Sequence, residues 1–168
     1  MAGLEAYVKF FHTPKVEDDG VNVGWFEDQT YEDGLPVAKV ARWNEFGTKA
    51  GIPQRPFMRK TIMRHEKEWI ETLRTLVQRE IDKKKGTNID RALAQFGEEV
   101  KGDIQSTILE GGFEKNSDIT IYGGWVYNKK ARKAVYVEGK GAGKPPLVDT
   151  GVMLSSIQAR TDKELLDV

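Results

Sequence analysis

The chain contains no cysteine. That excludes disulfides, zinc–thiolate centres and thiol nucleophiles. It has only two histidines, His12 and His65. "HEKEW" carries no second histidine four residues on, so the zinc-protease helix is excluded. Neither charge sign is in excess, because 26 Lys and Arg balance 26 Asp and Glu. A protein built mainly to grip duplex DNA carries a basic surplus. No apolar run approaches the roughly 20 residues of a membrane helix. The opening "MAGLEAYVKFF" lacks the basic start and small-residue cleavage site of a secretory signal. The expectation is a chain without metal, cofactor or membrane contact, maturing in a cytoplasm.

What is present fits one domain, 1–168, around a single core. The 39% apolar and 31% charged content is a globular balance rather than a disordered one. The charges are sorted locally. Glu17, Asp18, Asp19, Glu27, Asp28, Glu32 and Asp33 fall in a stretch without Lys or Arg. Lys129, Lys130, Arg132, Lys133, Lys140 and Lys144 face one acid, Glu138. Solvated loops are the plain reading. Complementary patches that meet between subunits are the sharper one.

Hydrophobic periodicity gives the elements. "LEAYVKFF" alternates through Leu4, Ala6, Val8 and Phe10, and "VNVGWF" alternates through Val21, Val23 and Trp25. Together they predict a protruding N-terminal hairpin over about 4–34. "VAKVARWNEFGT" changes to helical spacing, with Gly47 at the helix end in the left-handed conformation. Pro56 suits the first turn of a long helix. Its stripe is Ile62, Trp69, Ile70, Leu73, Leu76, Val77 and Ile81. Thr87 or Asn88 caps the next helix, whose apolar side runs Ile89, Leu93, Phe96, Val100, Ile104 and Ile108. Gly97 and Gly102 weaken it. "ITIYGG", "WVYNKK" and "KAVYVEG" read as strands, the last two a hairpin turning near 130–132. A basic loop region covers about 128–146. A short helix over 149–157 and a strand near "QARTD" close the order. The fold class is α+β, with five or six short strands in a mostly antiparallel or mixed sheet. Two long helices and two shorter ones pack it.

Asp149-Thr150-Gly151 spells the triplet of aspartic proteases. That chemistry needs a second carboxylate and walls for the cleft. Only 17 residues follow Gly151, too few for that half of such a fold. Asp149 or Thr150 is instead expected to cap a helix turn, with Met153, Leu154 and Ile157 on its apolar side. "EGKGAGK" fails as a phosphate loop, because Glu138 takes the first glycine's place and Pro145 follows Lys144. The sequence supports no catalytic residue and no enzyme.

Two segments together resemble the tail-completion and neck proteins of tailed bacteriophages, the minor tail protein Z-like and virion-morphogenesis group. The first is "VARWNEFGTKAGIPQRPFMRKTI", Val40 to Ile62. The second is "PPLVDTGVMLSSI", Pro145 to Ile157. The resemblance implies a structural virion protein of the tail or neck, assembled in the bacterial host cytoplasm. It implies self-association into a closed ring, sixfold by analogy with tails. Its neighbours would be a tail terminator or tail tube protein and the head connector, joining tail to capsid. Interface candidates are Asn44, Glu45, Phe46, Arg55, Phe57, Asp18, Asp19, Asp28, Asp33, Lys129, Lys130, Arg132 and Lys133. Arg55 is the leading side chain, its fork suited to carbonyls or to a carboxylate such as Glu45. A fold-determining corner is the plainer role for the first motif. Two rival readings stand beside this one. Lys140 and Lys144 could contact genomic DNA weakly in a connector channel, or Asp149 could serve an assembly protease.

Overall fold

The structure, a computed structural model, describes residues 20–49, 51–83, 86–128, 131–139, 141, 146–148 and 151–166. Ten elements follow one another. They are β1 (Val21–Gly24), α1 (Val37–Phe46), α2 (Phe57–Ile81), α3 (Ile89–Glu110) and α4 (Asp118–Tyr122). Then come β2 (Gly123–Asn128), β3 (Lys133–Glu138), α5 (Val152–Ser155), β4 (Gln158–Thr161) and α6 (Asp162–Leu166). The class is α+β. Among the described residues the four strands form two separate antiparallel ribbons, β1–β4 and β2–β3, rather than one sheet of five or six.

The two long helices pack against each other and carry the core. α2 buries Phe57, Met58, Thr61, Trp69, Leu76 and Glu80. That stripe is narrower than the sequence predicts. Ile70 and Ile81 are exposed, because α3 covers only the face centred on Trp69 and Leu76. The Trp69 indole N–H reaches across to Asp103 of α3 at 2.7 Å, and the partly exposed His65 stacks on Trp69. The side chain of Asn88 caps α3 by accepting the Arg91 N–H at 3.1 Å. α3 then buries Leu93, Val100, Ile104 and Ile108.

β1 pairs with β4, in the register Val21↔Thr161, Asn22↔Arg160, Val23↔Ala159 and Gly24↔Gln158. The ribbon lies on α3 at Gly97. A Cβ there would stand 2.6 Å from Val21 Cγ2 and 2.8 Å from Ala159 Cβ. Gly97 thus marks a close approach of sheet to helix, which its reading as a weakness of the helix does not anticipate. The segment 4–10, expected to pair with 21–26, lies outside the described residues.

"ITIYGG" is not a strand. Residues 118–122 form α4, and β2 begins only at Gly123. Ser117 explains this: its Oγ accepts the Thr120 N–H at 3.4 Å, and its carbonyl accepts the Ile121 N–H at 3.0 Å. One capped turn overrides the β preference of Ile119, Thr120 and Ile121. Gly123, at φ 77°, then redirects the chain. The turn between β2 and β3 falls where the sequence places it.

Candidate functional site

The first motif folds into a corner wired from within. Glu45, at the end of α1, is fully buried. Its Oε2 accepts the Met58 N–H at 2.9 Å, and its Oε1 accepts the Arg59 N–H at 3.3 Å and the Arg59 Nε–H at 2.9 Å. Those amides are unpaired donors of the first turn of α2. Pro56 stands just before that helix and offers no side-chain cap. The carboxylate of Glu45 supplies in space the cap that local sequence lacks, and it sits at the positive end of the helix.

Arg55 is buried to 4% exposure. Its fork joins two other chain segments, at Asn44 and at residues 114–116. Nε–H donates to the Glu114 carbonyl at 2.8 Å, and Nη1–H to Asn44 Oδ1 at 2.8 Å. Nη2–H donates to the Lys115 carbonyl at 3.2 Å and to Asn116 Oδ1 at 3.0 Å. The backbone N–H of Arg55 closes the corner on the Asn44 carbonyl at 2.7 Å. Arg55 therefore clamps carbonyls, and Glu45 is held by α2 and Arg59 instead. Burial lowers the pKa of the guanidinium, and the nearby Glu114 carboxylate opposes that shift. A lysine could not span these acceptors.

Gly47 ends α1 at φ 70° but ψ 177°, an extended glycine conformation rather than the left-handed one expected. A Cβ there would meet Ile52 O at 3.0 Å and Gln54 N at 3.1 Å. Thr48 closes the loop beyond it, exchanging backbone and side-chain hydrogen bonds with Ile52.

The second motif packs onto the first. Met153 and Ile157 join Val37, Ala41, Phe57 and Met58 in one buried cluster. Three side chains fix its carbonyls. Trp25 Nε1–H donates to Met153 O at 2.7 Å, Gln29 Nε2–H to Ser156 O at 2.6 Å, and Gln105 Nε2–H to Leu154 O at 3.1 Å. Trp25 also sets its ring edge against Phe57, with centroids 5.7 Å apart. One tryptophan thus touches both motifs. α5 starts at Val152, after Gly151 in the left-handed conformation. Asp149 and Thr150, the expected caps, lie outside the described residues.

The candidate interface residues divide by exposure. Glu45, Arg55 and Phe57 are consumed within the subunit and present almost no surface to a partner. Asn44 is half-buried and engaged with Arg55 and with the Val40 carbonyl. Phe46, Asp28, Asp33, Arg132 and Lys133 are exposed. Asp28 pairs with Arg160 at 2.6 Å, and that hydrogen bond holds its carboxyl below the usual range. Asp18, Asp19, Lys129, Lys130, Lys140 and Lys144 lie outside the described residues. Among the described residues no group of three or more His, Asp or Glu is placed to hold a metal, and no helix is long and apolar enough to cross a membrane.

Sequence reasoning missed Trp25, Gln29, Gln105, Asn116 and Arg59 as holding groups. Gln29 and Ser156 are 127 residues apart, so nothing local signals their contact. It also missed the character of the β2–β3 ribbon. Trp125, Tyr127 and Tyr136 are 71%, 62% and 53% exposed. Comparison with protein-family models, with curated proteins and with solved structures finds no match.

Proposed function

We propose that the chain is a ring-forming neck or tail-completion subunit of a tailed bacteriophage, helping to finish the tail and join it to the capsid connector. The observation that carries this reading is the pair of ordered motifs, Asn44 to Phe57 and Leu147 to Ile157. Their packing into one cluster, with Trp25 touching both, supports treating them as one signature rather than two coincidences. In this reading Asn44, Glu45 and Arg55 build the corner, and assembly falls to the exposed surfaces around it. The sixfold ring is the expected closure.

The test is biochemical and ultrastructural. Mass spectrometry of purified virions should find the chain at a few copies per particle, and electron microscopy of the isolated protein should show closed rings. A chain absent from particles and monomeric at every concentration would sink the reading.

A further inference from the structure

The ribbon β2–β3 is apolar at the middle of both faces, with polar residues Asn128, Lys133 and Glu138 only at its ends. Residues directly opposite share a face of an antiparallel pair. The register Trp125↔Tyr136 and Tyr127↔Ala134 makes one face aromatic. The register Val126↔Val135 and Gly124↔Val137 makes the other face valine. Trp125 and Tyr136 meet edge to face at 5.6 Å. Every residue of β3 is exposed, as are Trp125 to Asn128 of β2. Among the described elements, the ribbon packs appreciably only on the single turn α4. An isolated hairpin is marginal in water. Monomers seldom expose contiguous apolar patches of more than a few hundred Å². Tyr and Trp are the residues that anchor interfaces.

The end of the ribbon carries Arg132 and Lys133, both exposed. The matching surface is on the same molecule. The turn between β1 and α1 presents Glu27, Asp28, Glu32 and Asp33, all exposed. Of these only Asp28 makes an ion pair among the described residues. The ribbon and the acidic turn are different patches. A contact between them is head to tail, the kind that closes rings.

We propose that the β2–β3 ribbon is an arm that docks on a second copy of this chain, with Arg132 and Lys133 set against that copy's acidic turn. The proposal deepens the ring reading above and rests on it. The arm's apolar faces supply the buried area, and the charges fix which surface it meets.

The experiment is sedimentation velocity on the full chain, with circular dichroism to confirm folding. The double variant Trp125→Ser/Tyr136→Ser should stay folded and weaken self-association about 30-fold or more for each aromatic lost. Arg132→Glu/Lys133→Glu should dissociate the assembly. Adding Glu27→Lys/Glu32→Lys to that same chain should restore it. Rings that survive both ribbon variants would overturn the arm while leaving the ring reading intact. Failure of the second charge reversal to rescue would overturn the acidic turn as the docking surface. A third outcome also counts against the arm: the thiol of Tyr127→Cys, unique in this cysteine-free chain, shielded from reagent in a monomer and unshielded once residues 1–19 are removed. The cover would then be the chain's own N-terminal segment. Absence of the protein from virions is the separate result that sinks the ring reading itself.

Discussion

Among the described residues stand two antiparallel ribbons, built on different plans. In β1–β4, Val21, Val23, Ala159 and Thr161 share the face turned to α3. The other face is polar: Asn22 donates to Asp162 at 2.7 Å, and Arg160 reaches Asp28. In β2–β3 the middle of both faces is apolar, and among the described residues the aromatic face is open and the valine face partly covered. The first ribbon has one side for the core and one for water, the usual division of a half-buried sheet. The second has no such division, since both faces are apolar at their middle. If the ribbon docks on a second copy as proposed, its stability is a property of the assembly more than of the subunit.

Arg55 connects the two plans. It clamps the carbonyls of Glu114 and Lys115, just ahead of α4 and the second ribbon. Lys60 adds a hydrogen bond to Gly111 O at 3.1 Å and lies over the Phe113 ring. The root of the ribbon is therefore fixed to the body, while among the described elements the ribbon itself packs appreciably only on α4. Arg55→Ala should have the largest effect. It strands four partly buried oxygen acceptors and opens a cavity, a loss of about 2 to 4 kcal/mol in chemical denaturation. Arg55→Lys keeps a charge without the fork and should fall between. Hydrogen exchange should quicken in residues 111–117 first. A loss under about 1 kcal/mol would mean that water replaces the clamp and that the arm's root is looser than its geometry indicates.

Gly97→Ala tests the covered ribbon. Alanine adds up to about 1 kcal/mol of helix preference over glycine. The new methyl would stand inside contact distance of Val21 Cγ2 and Ala159 Cβ, and the Ala159 Cβ can give way only by moving its strand. Overpacking of this kind costs about 1 to 3 kcal/mol. The net should be a loss of about 1 kcal/mol. A stabilised variant would show that β1–β4 can lift from α3, and the contrast between the ribbons would shrink.

Much of the architecture was legible from periodicity. The two long helices, the Asn88 cap, the β2–β3 turn and the closing strand 158–161 follow from apolar spacing and turn residues. Three features were not legible, each for its own reason. α4 depends on one Ser117 cap that outweighs three β-branched residues. The stripe of α2 depends on where α3 lies, which the sequence of α2 does not encode, so Ile70 and Ile81 were placed inside. Gly97 was read as a weakness because its partner atoms are on strands 76 and 62 residues away. In the site, the residue types of the corner pointed to Arg55 as a clamp, since a buried fork needs several acceptors. Its acceptors at 114–116 were invisible because nothing in "GFEKNSD" marks three carbonyl and amide oxygens as converging.

The smallest expected effect belongs to the uncovered ribbon. Trp125→Ser alone removes a side chain that is 71% exposed and touches mainly Tyr136. Surface changes away from caps, cores and networks usually stay within about 0.5 kcal/mol. A dilute monomer should therefore melt almost where the parent does. On the proposed docking, the same substitution should lower the melting temperature of the concentrated protein relative to the parent, which association would stabilise. The comparison of the ribbons turns on that concentration dependence. A Trp125→Ser penalty of 2 kcal/mol or more, independent of concentration, would place the indole inside the subunit's own packing. β2–β3 would then be a covered ribbon like β1–β4.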